Sequence, residues 1–190
     1  MKNISAGLVS ALLTFGVVAQ AVAQAVPIAD GAIVSPVSRT TVFVRDMDES
    51  LKLYRDILGL KPRVERTLDG EWWNELMGTK GKKVQVVILQ TAKGEVVGNI
   101  GLFRFVDENP GPPVYSAARL QTGTVALVMV ARDIHAVYEK VKAAGYTIIS
   151  PPKTVDPKPS KASAYEMLFL DRDGIVVNII QSGAKEAGAK

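Results

Sequence analysis

Few residues in this sequence have the chemistry of a catalytic or metal site. Cysteine is absent, so the chain has no disulfide, no reactive thiol and no thiolate metal site. His135 is the only histidine, which excludes any site that needs two imidazoles from one chain. The 3.6-residue pattern around His135 places it beside the apolar stripe of a predicted helix. We therefore interpret His135 as an exposed helix residue, not a catalytic one.

Arg39 is the more informative polar residue. It begins an alternating stretch, 38–45, in which Arg39, Thr41 and Phe43 share one face of a predicted strand. Two interpretations fit an arginine on a face that also carries a phenylalanine. Arg39 either clamps a ligand carboxylate, phosphate or phenolate with its planar guanidinium, or forms an internal ion pair or reaches water at the strand end.

The elements around Arg39 form a repeat unit. A helix capped by Asp46 or Asp48 follows the first strand, and Gly59 stands where a left-handed C-terminal cap is expected. Further strands are predicted at 61–68, 84–91 and 99–106, with a loop containing about one helical turn at 69–83. On extended backbone the adjacent Trp72 and Trp73 would face opposite sides, so that only one is buried; one of them either covers a ligand or packs in the core or on the surface.

The same order of elements recurs in the second half. A strand at 124–131 is followed by a helix that Asp133 caps and Gly145 closes, and then by strands at 146–150, 165–170 and 175–181. Residues 151–163 are predicted to be an exposed loop. Because strand, helix and three strands occur twice, we predict an internal duplication, with modules at 38–106 and 123–182 joined by a linker at 107–122.

The N-terminal residues have the pattern of a signal peptide. Lys2 precedes an apolar run, and small residues allow cleavage after Ala23 or Ala25; an uncleaved anchor is the alternative. We predict a signal peptide at 1–25, a leader at 26–37, a disordered tail at 183–190 and a periplasmic or secreted location. Without Lys2 the chain has 22 basic and 19 acidic residues and no basic run, so neither nucleic acid nor a membrane span in the mature chain is expected.

The duplicated module resembles the vicinal oxygen chelate superfamily, which includes glyoxalase I, bleomycin-binding proteins and extradiol dioxygenases. The residues that carry the resemblance are "VFVRDMDESLKLYRDILGL", "ARDIHAVYEKVKAAGYTI" and "FLDRDGIVVNIIQ". The resemblance implies an α+β fold in which two tandem βαβββ modules form a curved, cup-shaped mixed sheet with helices on the outside.

The family's metal ligands are absent from the corresponding positions. The resemblance places those four positions at Arg39, at Thr124 or Ala126 (depending on register), at Gly101 and at Asn178. Arginine stays protonated and cannot ligate, and the other side chains are weak ligands or none. We therefore predict a metal-free cup without a cofactor, and we expect Gly101 to leave room for the Arg39 stem or for a ligand. Oxygen ligands elsewhere, such as Glu65 or Glu166, are the alternative.

Together these features predict an exported domain that binds a small aromatic or anionic molecule. A cofactor-free lyase, isomerase or hydrolase, with Arg39 as electrophile and Glu166 as base, is the second hypothesis, and a divergent metal-dependent glyoxalase or dioxygenase is the third. A structural role with a filled cup is a fourth, and the sequence leaves a homodimer open. No catalytic residue is assigned, and Asn178 has the alternative of satisfying backbone groups. The predicted ligand-binding residues are Arg39, Thr41, Phe43, Gly101, Phe103, Thr124, Ala126 and Asn178.

Overall fold

A computed structural model of the chain describes residues 28–92, 96–113, 120–155 and 163–183. The first module contains β1 (Arg39–Phe43), α1 (Met47–Leu51) with a π-helical continuation (Lys52–Ile57), β2 (Lys61–Leu68), α2 (Glu71–Met77), β3 (Val84–Gln90) and β4 (Asn99–Phe105). The second contains β5 (Ala126–Val130), α3 (Ile134–Ala143), β6 (Thr147–Thr154), β7 (Tyr165–Leu170) and β8 (Val176–Gln181).

The strands form two four-stranded sheets with the same topology. Their orders are β1-β4-β3-β2 and β5-β8-β7-β6. In each sheet the first and last strands of the module pair in parallel, while the other neighbours are antiparallel. The predicted α+β fold of two βαβββ modules is therefore confirmed, as two open mixed sheets.

One hydrophobic core joins the two modules. It contains one face of each sheet and the inner faces of the helices, so α1, its continuation and α3 lie on the same side of their sheets. Alternation along the strands leaves the opposite face of each sheet, here called its cup face, free of this core. The largest fully buried side chains of the core include Tyr54, Phe169, Leu53, Leu102, Ile134 and Met167.

A polar clasp also connects the modules, at the turn between β7 and β8. Asp173 Oδ1 accepts from both the backbone N–H and the Nε of Arg45, each at 3.0 Å. Asp171 Oδ2 accepts from the Tyr54 hydroxyl at 2.7 Å, and its Oδ1 accepts from the backbone N–H of Ile175 at 2.8 Å. Burial raises the pKa of Asp171, and burial next to this carboxylate raises the pKa of Tyr54 well above its ordinary value.

The structure corrects the sequence prediction for residues 69–83. Glu71–Met77 form the helix α2, so Trp72 and Trp73 do not lie on extended backbone. Trp72 is 65% exposed, whereas Trp73 packs against a second apolar cluster that contains Phe103. The prediction failed because seven residues form barely two helical turns, too few for a clear periodic pattern. The N-cap residue, Gly70, also has no side chain that could give a capping signal.

A second correction concerns the predicted loop at 151–163. The strand β6 continues through Pro151 and Pro152 to Thr154. Proline lacks the N–H that a central strand needs, but β6 is an edge strand and its pairing with β7 is irregular between Ser150 and Lys153. The edge position, which the sequence does not show, makes the prolines compatible with a strand.

Several predictions fall wholly or partly outside the described residues. The signal peptide at 1–25 lies entirely outside them, as do 114–119 of the linker and 184–190 of the tail. Among the described residues, no helix is long and apolar enough to cross a membrane.

Candidate functional site

The cup face of the first sheet brings together five of the predicted ligand-binding residues. The parallel pairing of β1 with β4 sets Arg39 beside Asn99, Thr41 beside Gly101 and Phe43 beside Phe103. Side chains of paired residues lie on the same face of a sheet, so these residues form three adjacent rows.

The Arg39 side chain lies across Gly101. A Cβ built at Gly101 would stand 3.0 Å from Arg39 Cδ and 3.3 Å from both Phe103 Cε1 and Thr41 Oγ1. The Arg39 Nε donates to Thr41 Oγ1 at 3.1 Å, and its guanidinium carbon stands 5.5 Å from the centre of the Phe103 ring, within cation–π range. Within the described ranges, Arg39 forms no ion pair with a carboxylate.

Three phenylalanines form an apolar wall next to this guanidinium. The Phe43 ring meets Phe103 edge-on at 5.7 Å and stacks with Phe105 at 5.5 Å. Phe43 is 47% exposed while Phe103 is buried, so the wall offers an aromatic surface to the outside. Trp73 and Met77 of α2 pack against the same cluster, so α2 covers part of the cup face.

Two amide side chains that were not identified from the sequence complete the row that begins with Arg39. Asn99, beside Arg39, is 4% exposed, and Gln90, at the end of β3, is 8% exposed. Alternation from the pair Ile88 and Gly101 places both amides on the cup face. Asn99 Nδ2 donates to the carbonyl of Ser38, but no donor in the described part of the chain reaches Asn99 Oδ1 or Gln90 Oε1. The sequence signal that could have identified them is a polar residue at the end of a strand, at a position that alternation places on the cup face.

The second sheet resolves the register of the other predicted residues. The backbone N–H of Val44 donates to the carbonyl of Phe103, and the backbone N–H of Ala131 donates to the carbonyl of Ile180. These equivalent bonds align Val44 with Ala131 and Phe103 with Ile180. Counting back along each strand, Arg39 corresponds to Ala126 and Gly101 to Asn178. Thr124 lies before β5, where its hydroxyl accepts from the backbone N–H of Gln121. The buried Asn178 donates from Nδ2 to the carbonyl of Met167 at 3.2 Å, which is the structural role considered for it.

These residues do not fit a divalent metal. The four family positions hold a guanidinium, a methyl group, no side chain and one amide that is already engaged with backbone. Imidazole, carboxylate or thiolate ligands are what such metals require. Among the described residues, no group of three or more His, Asp or Glu side chains could hold a metal ion.

No direct contact between the residues considered for catalysis is seen in the described part of the chain. Glu166 lies on β7, in register with Lys153 and Ile180, and no described hydrogen bond or ion pair connects it with Arg39. His135 is exposed on α3, as predicted, with its ring 5.5 Å from that of Tyr165. The geometry therefore provides a cationic, aromatic-walled surface with buried acceptors.

Comparisons with known proteins agree with this architecture. The model of the glyoxalase/bleomycin resistance protein/dioxygenase superfamily matches residues 37–179. A search of curated proteins finds no match.

Solved structures share the fold at low sequence identity. A glyoxalase family protein from Bacillus cereus is 16% identical, with a TM-score of 0.64, over 83% of this chain and 100% of the other. The trypanothione-dependent glyoxalase I of Leishmania major is 15% identical, with a TM-score of 0.52, over 78% and 87%. A variant of Zea mays glyoxalase I is 18% identical, with a TM-score of 0.55, and the match covers 78% of this chain and 46% of the maize chain.

Proposed function

This chain belongs to the glyoxalase/bleomycin resistance protein/dioxygenase superfamily, and we propose that it is an exported member that binds a small aromatic anion without a metal ion. The binding surface is the cup face of the first sheet, with the exposed Arg39 at the start of its edge strand β1. Arg39 provides the charge, and the wall of Phe43, Phe103 and Phe105 provides the apolar contact.

The observation that carries the proposal is the position of the Arg39 guanidinium. It lies over an aromatic ring, and its stem passes close to Gly101, where a Cβ would stand 3.0 Å from Arg39 Cδ. No described carboxylate neutralises it. A planar guanidinium in such surroundings pairs well with a carboxylate or phenolate, because it offers two parallel N–H donors and stacks on aromatic faces.

The unpaired amide oxygens define the ligand further. Asn99 Oδ1 and Gln90 Oε1 accept hydrogen bonds, and a buried acceptor without a donor costs about 1–3 kcal/mol. Both oxygens are almost fully covered, so a ligand hydroxyl or N–H group beside the anionic group satisfies them where the side chains of this row move to admit it. The ligand class is therefore an aromatic carboxylate with an additional donor, for which 4-hydroxybenzoate is a simple probe.

Export is proposed from the N-terminal sequence alone. The apolar run and the small residues at Ala23 and Ala25 support cleavage by signal peptidase. The absence of cysteine is compatible with an oxidising compartment.

Native mass spectrometry of protein purified from its own host tests the proposal. We expect a chain that begins after Ala23 or Ala25, carries an organic anion and contains no stoichiometric metal. The anion should be lost in Arg39→Met and retained in Arg63→Met, which removes an exposed arginine from β2. One metal ion per chain, or a bound molecule that is unaffected by Arg39→Met, contradicts it.

A further inference from the structure

A cavity lies between the two modules and shares no lining residue with the proposed binding surface. It has a volume of about 580 Å³, within the range of small-molecule sites. Its apolar lining comes from both modules and includes Leu58, Val97, Met129, Val137 and Ile179. Arg132 and Asp133 are its only charged lining residues in the described part of the chain.

The duplication identifies the residue of the first module that corresponds to Arg132 of the second. Asp46 and Asp133 each accept a hydrogen bond at 3.0 Å from the backbone N–H three residues later. The preceding strands are joined to their neighbours by equivalent bonds of 2.8 Å, from the N–H groups of Val44 and Ala131. Arg45 and Arg132 therefore occupy the same position in the two modules.

The two arginines differ in what they bind. Arg45 holds the Asp173 carboxylate with its backbone N–H and its guanidinium, and it also donates from Nη2 to the carbonyl of Arg172. The side chain of Arg132 is exposed and, in the described ranges, forms no hydrogen bond or ion pair. No described acceptor meets its backbone N–H either. Within the described residues, the two donors that hold a carboxylate in one half thus have no partner beside the cavity in the other.

We propose that this cavity binds a small molecule with an apolar body and a terminal carboxylate. The guanidinium and backbone N–H of Arg132 hold the carboxylate as Arg45 holds Asp173, while the chain or ring of the ligand lies against Leu58, Met129 and Val137. Asp133 is compatible with this binding, because the equivalent Asp46 caps its helix in the same way next to the pair of Arg45 and Asp173. The site is separate from the Arg39 surface and does not depend on it.

Octanoate and 1-octanol are matched probes for this site, because they share the apolar chain and differ in charge. Titration of the full chain, followed by calorimetry and by amide NMR shifts, should show octanoate binding and a downfield shift of the Arg132 amide proton. Arg132→Gln should weaken octanoate binding about tenfold or more and leave octanol unchanged. Arg63→Gln, an exposed arginine on another strand, is the control for the lost charge.

A second variant tests the location independently. Val137→Trp places an indole ring inside the cavity, against the predicted position of the apolar chain, and should abolish binding of both probes, whereas Arg39→Met should leave both intact. Circular dichroism establishes that each variant is folded. The proposal is overturned if wild-type protein fails to bind octanoate at concentrations on the order of 10 mM. It is also overturned if Arg132→Gln and Arg63→Gln bind octanoate equally, or if octanoate still binds to a folded Val137→Trp.

Discussion

At the residue scale, the close passage of the Arg39 stem over Gly101 determines the character of the cup face. A Cβ at residue 101 would meet the Arg39 stem at 3.0 Å, closer than real Cβ contacts normally allow. The side chains at the first and third family positions are therefore adapted to each other. The sequence could place an arginine where the family resemblance expects a metal ligand, but it could not identify the buried amides of Gln90 and Asn99, because sequence alone does not show burial.

Gly101→Ala should separate ligand binding from stability. Its backbone φ is not in the left-handed region, and replacing glycine in a strand normally stabilises by about 0.5–1 kcal/mol. The added methyl group displaces the Arg39 side chain, so affinity for 4-hydroxybenzoate should fall about tenfold. Urea unfolding and titration of one preparation measure both quantities. Gly111→Ala, where a Cβ meets nothing within 4 Å, is the control; equal affinities in the two variants would contradict this role of Gly101.

Tyr54→Phe should change how stability depends on pH. The pKa of Tyr54 is raised in the folded protein, so folding favours the neutral form of this side chain. The resulting stabilisation of the folded state is complete below pH 10, the ordinary pKa of tyrosine. It is lost as the pH rises toward the folded pKa. At pH 7 the variant should be less stable by about 1–3 kcal/mol, because Asp171 loses a donor.

Above pH 10 that difference should shrink by about 1.4 kcal/mol per pH unit. Urea unfolding of wild type and Tyr54→Phe at pH 7, 10 and 11 gives the difference directly, and other titrating groups cancel in it. A difference that is constant over this range would mean that Tyr54 titrates alike in both states.

At the scale of elements, strand pattern and turn chemistry account for most of the fold. Asp46 and Asp133 cap their helices as the sequence indicates, and Gly59 and Gly145 have the positive φ values of 82° and 73° expected after a helix. The elements that were missed depend on tertiary context. The helix α2 depends on packing of Trp73 and Met77, and the extension of β6 on an edge position.

Asp173→Asn tests the clasp that joins the β7–β8 turn to the first module. The change keeps the shape of the side chain but removes the charge that two donors of Arg45 share, so the free energy of unfolding should fall by about 1–3 kcal/mol. Asp56→Asn, which breaks an exposed pair with Arg55, should cost less than about 1 kcal/mol. Chemical denaturation of both variants makes the comparison; equal losses would show that the clasp contributes no more than a surface ion pair.

At the scale of the whole molecule, duplication explains the shared topology of the two modules, and their differences lie in the two junctions between them. The two modules have the same topology, and this could be predicted because each repeats the order of strands, helix and caps. Their differences could not be predicted in the same way. The turn 171–174 fills the junction beside Arg45, while the junction beside Arg132 contains a cavity, and only the packed structure shows this.

The most direct test of the account is a paired measurement on wild type and Arg39→Met, which keeps aliphatic bulk while removing the charge. The affinity for 4-hydroxybenzoate and the melting temperature are measured on the same samples. The account predicts that affinity falls about 30-fold or more, because one partner of a charge-assisted pair is lost, while the melting temperature stays within about 4 °C. Unchanged affinity with a collapse in melting temperature, or a wild-type protein that does not bind this anion, would contradict it.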